Sequence, residues 1–203
     1  MLQHSAVYPG TLALLKKLME LPSLRSMNLV GGTALALQLG HRISIDLDLF
    51  GEELPDRDQF LAEINEEANP LSNQDYFFAF EVRGVKVDVL RFPYPLIRPV
   101  IETEGLRMAS LEDIAAMKII AVANRGSKKD FFDIAVLLQH FSMSEMLEFH
   151  REKTKKDLPF YVLKSLCFFE DAEHDFDPEM MIDLSWEEVK SVIRKAVEEV
   201  YLN

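Results

Sequence analysis

The stretch from Leu29 to Phe50 constrains what this chain can fold into more than any other. It reads as a strand, a turn at Gly31-Gly32, a short helix and a second strand. In that second strand the two-residue period of β side chains sends Ile45, Leu47 and Leu49 towards a core and leaves Ser44, Asp46 and Asp48 on the opposite face. Carboxylates that close repel one another unless a cation lies between them, and hard cations such as Mg²⁺ take oxygen ligands of this kind, commonly shared with substrate phosphates. The glycine pair stands at a helix start, where free backbone N–H groups and the positive end of the dipole can receive phosphate oxygens. The stretch therefore predicts a metal site beside a phosphate cradle. A surface hairpin with a glycine turn and two solvated aspartates is the competing interpretation.

Around this unit the pattern is that of an α/β chain. Leu12, Leu15 and Leu18-Met19 fall at helical spacing within Tyr8 to Glu20, with Lys16-Lys17 on the other side. Met27 to Val30 reads as a short buried strand. Asp56 or Asp58 caps a helix expected over 57–68, lying outside the sheet as a crossover. Asp75 to Val82 and Val85 to Leu90 read as two strands joined by a tight turn at Arg83-Gly84. In the second, Val85, Val87 and Val89 share one face, and Lys86 and Asp88 the other. A carboxylate in a hydrophobic strand is costly without a partner, which Lys86, Arg91 or a bound cation can supply.

Pro93, Pro95 and Pro99 interrupt regular structure and predict a boundary between an α/β part, residues 1–95, and a helical part, residues 96–203. A helix opening at Ser110 to Asp113 is apolar from Ile114 to Ala123 except for Lys118, whose ammonium needs either water or an anion opposite. Arg125, a further two turns along, falls on nearly the same face. Gly126 ends that helix, and the next carries Lys128, Lys129 and Asp130 in its first turn and Asp133 one turn later. Acidic side chains there are favourable on dipole grounds alone. Helices are expected over 144–155, 158–169 and 186–201, with an acidic loop at 170–183 whose His174 lacks metal-ligand spacing.

The chain's 203 residues are enough for one large domain or two small ones. Neither a membrane-length apolar run nor a basic-then-apolar leader is seen, and the single Cys167 cannot form an internal disulfide, so a cytoplasmic protein is expected. A net charge of −12 argues against broad binding to nucleic acid, so any RNA contact must be local.

The order Gly31-Gly32 followed by Asp46-Leu47-Asp48 resembles the signature of the polymerase-beta-like nucleotidyltransferase superfamily. The fuller string, Gly31-Gly32-Thr33-Ala34-Leu35-Ala36-Leu37 and then His41-Arg42-Ile43-Ser44-Ile45-Asp46-Leu47-Asp48-Leu49-Phe50, resembles one branch of it, the AbiEii/AbiGii toxin-type nucleotidyltransferases. Arg125 with Lys129-Asp130-Phe131-Phe132-Asp133 is similar to that family's Arg-x-x-x-Lys/Arg-Asp-x-x-Asp motif.

The resemblance implies an α/β (α+β) fold of the polymerase-beta-like type: a small mixed sheet with flanking helices, then a helical part completing the nucleotide cleft. It implies Mg²⁺-dependent transfer of a nucleoside monophosphate from an NTP to an acceptor, with RNA, and tRNA in particular, as the leading acceptor class. A toxin–antitoxin or phage-defence setting and an antitoxin partner are implied with it. Two Mg²⁺ (or Mn²⁺) would be held by Asp46, Asp48 and, on a neighbouring strand, Asp88. Lys118 and Asp130 would join these aspartates as catalytic residues. Gly31, Gly32, Thr33, Arg42, Ser44, Lys118, Arg125 and Lys129 would contact the nucleotide. A non-catalytic nucleotide-binding or interaction module of the same fold, and a small-molecule, aminoglycoside-type nucleotidyltransferase, remain alternatives.

Overall fold

The computed structural model describes residues 1–64, 68–156 and 160–202. The chain divides into two units, Met1–Ser110 and Leu111–Asn203.

In the first unit, helix α1 (Pro9–Glu20) opens with proline at its first position, where the missing N–H has no helical partner to lose. Strand β1 (Asn28–Val30) runs into α2 (Gly31–Leu39), which Gly40 closes in the left-handed conformation at φ 67°. Strand β2 (Leu47–Gly51) follows, then α3 (Arg57–Ile64), whose Gln59 N–H donates to Asp56 Oδ1 at 2.7 Å. Strands β3 (Ala68–Gln74), β4 (Phe77–Val82), β5 (Val85–Arg91), β6 (Ile101–Thr103) and β7 (Leu106–Met108) complete a mixed seven-stranded sheet in the order β3-β4-β5-β2-β1-β7-β6. Strands β2 and β5 are parallel, as are β1 and β7; the other neighbours are antiparallel.

The sheet's two faces are set by alternation. Register aligns Leu47 with Val87 and Phe80, and Leu49 with Val89 and Phe78, so these six buried side chains form two rows across three strands. Phe60 of α3 covers them, with ring centroids 4.7 Å from Phe80 and 5.8 Å from Phe78. Burying side chains of this size contributes about 1.5–3 kcal/mol each. The opposite face carries Asp48, Asp88, Lys86 and Glu81. Tight two-residue turns with positive φ at Arg83-Gly84 and Glu104-Gly105 join β4 to β5 and β6 to β7.

Four expectations change. Ile45 does not enter the core: it is 53% exposed, because β2 begins only at Leu47 and the preceding backbone pairs with the N-terminal segment through Ser44 N–H to Ala6 O at 2.9 Å. Ser44 accordingly turns inward and is buried. The helix expected over 57–68 ends at Ile64, and Ala68 already belongs to β3, where Pro70 sits at a bulge of an edge strand, a place that tolerates its missing donor; residues 65–67 lie outside the described residues. Strand β4 starts at Phe77 rather than Asp75, since Asp75-Tyr76 is the turn from β3. The units divide after Ser110, beyond the prolines, because β7 returns to pair with β1.

The second unit is helical: α4 (Leu111–Asn124), α5 (Lys128–Leu137), α6 (Met143–Thr154), α7 (Phe160–Leu166) and α8 (Trp186–Leu202). Residues 158 and 159 of the helix expected over 158–169 lie outside the described residues. Ser142 and Glu145 form a reciprocal capping box on α6. The Trp186 ring packs with Phe131, Phe132 and Phe169 at centroid distances of 5.8 Å each. Lys153 and Asp113 form an ion pair at 2.7 Å between α6 and α4 with neither side chain exposed. The 170–183 loop is tied down at its start: Glu173 accepts from Lys190 and Trp186, and the Asp175 carboxylate accepts the Lys128 N–H. Among the described residues no helix is long and apolar enough to cross a membrane.

Candidate active site

On the polar face of the first unit's sheet, Asp48 of β2 and Asp88 of β5 stand directly opposite each other. Each is flanked by buried residues on its own strand, Leu47 and Leu49 in one case and Val87 and Val89 in the other, which fixes the face to which it points. Asp46 lies two residues before Asp48, just ahead of the strand. The Asp88 carboxylate is divided in its surroundings. Its Oδ2 accepts from Lys86 Nζ at 2.6 Å, whereas Oδ1 is buried with no hydrogen-bond partner.

The next strand explains the glycine pair. Val30 is the register partner of Asp48, so the first residues of α2 emerge beside that carboxylate. Gly31 adopts φ 67°, and a Cβ there would run into the Asp48 carboxylate; a Cβ on Gly32 would run into the guanidinium of Arg42. Glycine is required at 31 twice over, by the backbone and by the close approach. Thr33 fastens the return of the chain. Its Oγ1 is hydrogen-bonded to Ser44 Oγ at 2.8 Å and donates to the Asp46 carbonyl. Thr33, Arg42 and Ser44 are all buried, and Arg42 Nη1 donates to the Ile43 carbonyl at 3.1 Å. The short α2 thus carries, within one turn of its N-terminus, the contacts that position Asp46, Asp48 and Arg42.

The second unit holds a separate ionic cluster. Lys118 of α4 is buried among apolar neighbours, and its Nζ lies 2.8 Å from Asp130 Oδ1 and 2.5 Å from Asp133 Oδ2, both on α5. Asp130 also accepts from Arg125 Nε at 2.8 Å, Arg125 Nη2 at 3.0 Å and Ser127 Oγ at 2.7 Å. Burial pushes the Asp130 carboxyl up, but Lys118 and Arg125 outweigh it and hold it far below the usual carboxylate range. The anions opposite Lys118 are the chain's own Asp130 and Asp133. Lys129 is exposed.

The residues singled out in the sequence thus fall into two groups. Asp46, Asp48, Asp88, Gly31, Gly32, Thr33, Arg42 and Ser44 belong to the first unit; Lys118, Arg125, Lys129 and Asp130 to the second. Among the described residues no three His, Cys, Asp or Glu side chains are gathered closely enough to hold a metal ion. The donor set is nonetheless one that suits a hard cation: opposed carboxylates on one face, one with a buried oxygen still lacking a donor. Of the partners that the sequence left open for Asp88, namely Lys86, Arg91 and a bound cation, Lys86 is the one engaged here. Its place two positions before Asp88 on the same face was the available signal.

A family model described as Nucleotidyl transferase AbiEii toxin, Type IV TA system, matches residues 13–104 and 79–198. An uncharacterized protein of Aquifex aeolicus is 31% identical over 199 residues, 93% of this chain and 95% of the relative. Among solved structures, MenT4, a nucleotidyltransferase toxin of Mycobacterium tuberculosis, superposes with a TM-score of 0.60 at 15% identity, covering 91% of this chain and 80% of that one. JHP933 of Helicobacter pylori gives 0.59 at 18% identity, covering 100% and 94%. At these identities the likeness shows the fold, which is that of the polymerase-beta-like nucleotidyltransferases, as the motif order in the sequence led us to expect.

Proposed function

Since the chain belongs to the AbiEii nucleotidyl transferase toxin family, we propose that this toxin-type nucleotidyltransferase moves a nucleoside monophosphate from an NTP to a hydroxyl of RNA, with tRNA as the first acceptor to try, and releases pyrophosphate. The observation that carries the reading is the opposition of Asp48 and Asp88 in parallel register beside the glycine start of α2. Asp46, Asp48 and Asp88 are the residues that would hold Mg²⁺ or Mn²⁺. Bound there, such ions lower the pKa of an attacking hydroxyl and offset the charge of a leaving pyrophosphate.

The chain's own groups have distinct tasks in this reading. The unpaired N–H groups in the first turn of α2, at Gly32 and Thr33, receive phosphate oxygens with the positive end of the helix dipole behind them. Arg42, held over Gly32, adds a fixed positive charge at the same turn. Thr33 and Ser44 keep the chain before β2 in place and so orient Asp46. Lys118, Arg125 and Lys129 are the second unit's candidates for nucleotide contact and Lys118 and Asp130 its candidates for catalysis, by resemblance to the family, with Asp130 setting the orientation of Lys118 and Arg125. A separately encoded antitoxin is the partner that family membership suggests.

The deciding experiment is incubation of the protein with each α-labelled NTP, Mg²⁺ or Mn²⁺, and total RNA, followed by separation of RNA, protein and small molecules. Label in RNA with one or two of the four NTPs is the expected result. Label confined to a small molecule such as an added aminoglycoside would replace RNA as the acceptor. Absence of label in every fraction with all four NTPs would leave a nucleotide-binding module without transfer.

A further inference from the structure

Lys86 is a cation bonded to one carboxylate of the proposed cation site. Its Nζ is 2.6 Å from Asp88 Oδ2, and the charges of Asp46 and Asp48 act on it as well. Burial disfavours its charged form, but the bond to Asp88 and the field of the three aspartates raise its pKa above the ordinary lysine value. On the β4 side a further carboxylate is within reach. Glu81 is the register partner of Lys86 in the antiparallel pair, so the two side chains stand on one face and directly opposed. The Lys86 side chain is 47% exposed, and its ammonium is carried on a four-carbon stem with freely rotating bonds.

We propose that Lys86 is a tethered counter-ion: it occupies the cation position beside Asp88 in the metal-free protein and passes to Glu81 when a divalent ion takes up the aspartates. The proposal rests on the metal reading of Asp46, Asp48 and Asp88 given above. Opposed carboxylates draw positive charge to themselves, and Lys86 supplies it at Asp88 when no ion does. A divalent ion and the ammonium then compete for the same Asp88 oxygen. Glu81 matters because it gives the displaced ammonium a partner and so lowers the opposition to metal entry. Lys86 is thus a positioning residue, acting on the metal through Asp88.

The test is Mn²⁺ affinity by calorimetric titration of the full chain without nucleotide, together with the thermal midpoint in the presence and absence of Mn²⁺. The proteins compared are wild type, Lys86→Met, Glu81→Gln and Asp88→Asn. Lys86→Met should bind Mn²⁺ about fivefold or more tightly than wild type and show a lowered midpoint that Mn²⁺ restores, as expected when a competing charge is removed. Glu81→Gln should bind more weakly. If Lys86→Met lowers the midpoint equally with and without Mn²⁺ and leaves affinity unchanged, Lys86 is only a structural partner and the tether is wrong. If Lys86→Met binds more tightly but Glu81→Gln matches wild type, the transfer to Glu81 is wrong. Should neither wild type nor Lys86→Met bind Mn²⁺ better than Asp88→Asn, the metal reading itself fails along with the tether. A wild type that outbinds Asp88→Asn keeps that reading whatever Lys86→Met does.

Discussion

Asp48 and Asp88 are register partners in the parallel pair β2/β5, placed one strand spacing apart on the same face of the sheet. Two like charges so placed destabilise a sheet unless something of opposite sign is drawn to them.

Replacing Asp88 by Asn should consequently separate activity from stability. Nucleotidyl transfer should drop by at least about a hundredfold, as expected for loss of a group that stabilises developing charge. Stability should change by no more than about 1 kcal/mol in either direction, because relief of the Asp48 repulsion offsets the lost, half-exposed Lys86 pair. Transfer rate and thermal midpoint measured on one preparation check both halves. A strongly destabilised Asp88→Asn protein would make Asp88 a structural acid.

Gly31→Ala and Gly105→Ala form a matched comparison. Both glycines have positive φ, 67° and 78°, so either alanine should lose about 1–2 kcal/mol from the backbone alone. A Cβ at 105 meets nothing within 4 Å, whereas one at 31 meets the Asp48 carboxylate. Chemical denaturation should show Gly31→Ala as the more destabilised of the two, and only that variant should lose transfer activity. Equal stability and equal activity would mean that the Asp48 carboxylate does not rest against the start of α2.

Removing the ammonium of Lys118 takes a cation away from Asp130 and Asp133 in the interior of the second unit, where neither side chain is exposed, although Asp130 keeps Arg125 and Ser127. Breaking a buried pair by taking away one partner typically destabilises by about 3–5 kcal/mol. Lys118→Met should fall in that range, and so should Lys153→Met, which removes the ammonium paired with the buried Asp113. Urea titrations of both variants measure this. A loss of under about 1 kcal/mol for Lys118→Met would show that groups other than Lys118 hold Asp130 and Asp133 in their charged form.

The depressed Asp130 pKa sets a direction for acid sensitivity. Because the folded value lies below the unfolded one, ordinarily about 3.9 for Asp, the stabilisation is complete above that pH and is lost as pH falls through the folded value. Asp130→Asn should therefore flatten the decline of stability below about pH 4 relative to wild type. Parallel slopes for the two proteins across that range would contradict the assignment.

Much of this arrangement was legible because it rests on alternation and spacing within short windows. The Gly31-Gly32 turn, the helix behind it and the valine frame around Asp88 can each be read from fewer than a dozen neighbours. Pairing between distant strands cannot. That β2 and β5 are adjacent, which brings Asp48 to Asp88, is a tertiary fact, as is the pairing of residues 6 and 7 with Ser44 that moved Ile45 into solvent. Strands β6 and β7, with three residues each, are too short for a period of two to register, and they were hidden behind the prolines that suggested a boundary. Lys118 was read as needing either water or an anion opposite it. Which anion it has depended on the geometry of α4 against α5, and the answer was the chain's own Asp130 and Asp133.

The central claim is that carboxylates on the β2/β5 face carry out nucleotidyl transfer, and Asp48→Asn tests it most directly. The measurement is transfer of α-labelled NMP to RNA by wild type and Asp48→Asn at equal concentration, with matching far-ultraviolet circular dichroism as the check on folding. Label in the wild-type lane and none above background with Asp48→Asn is the predicted result. Undiminished labelling by a folded Asp48→Asn protein would contradict it.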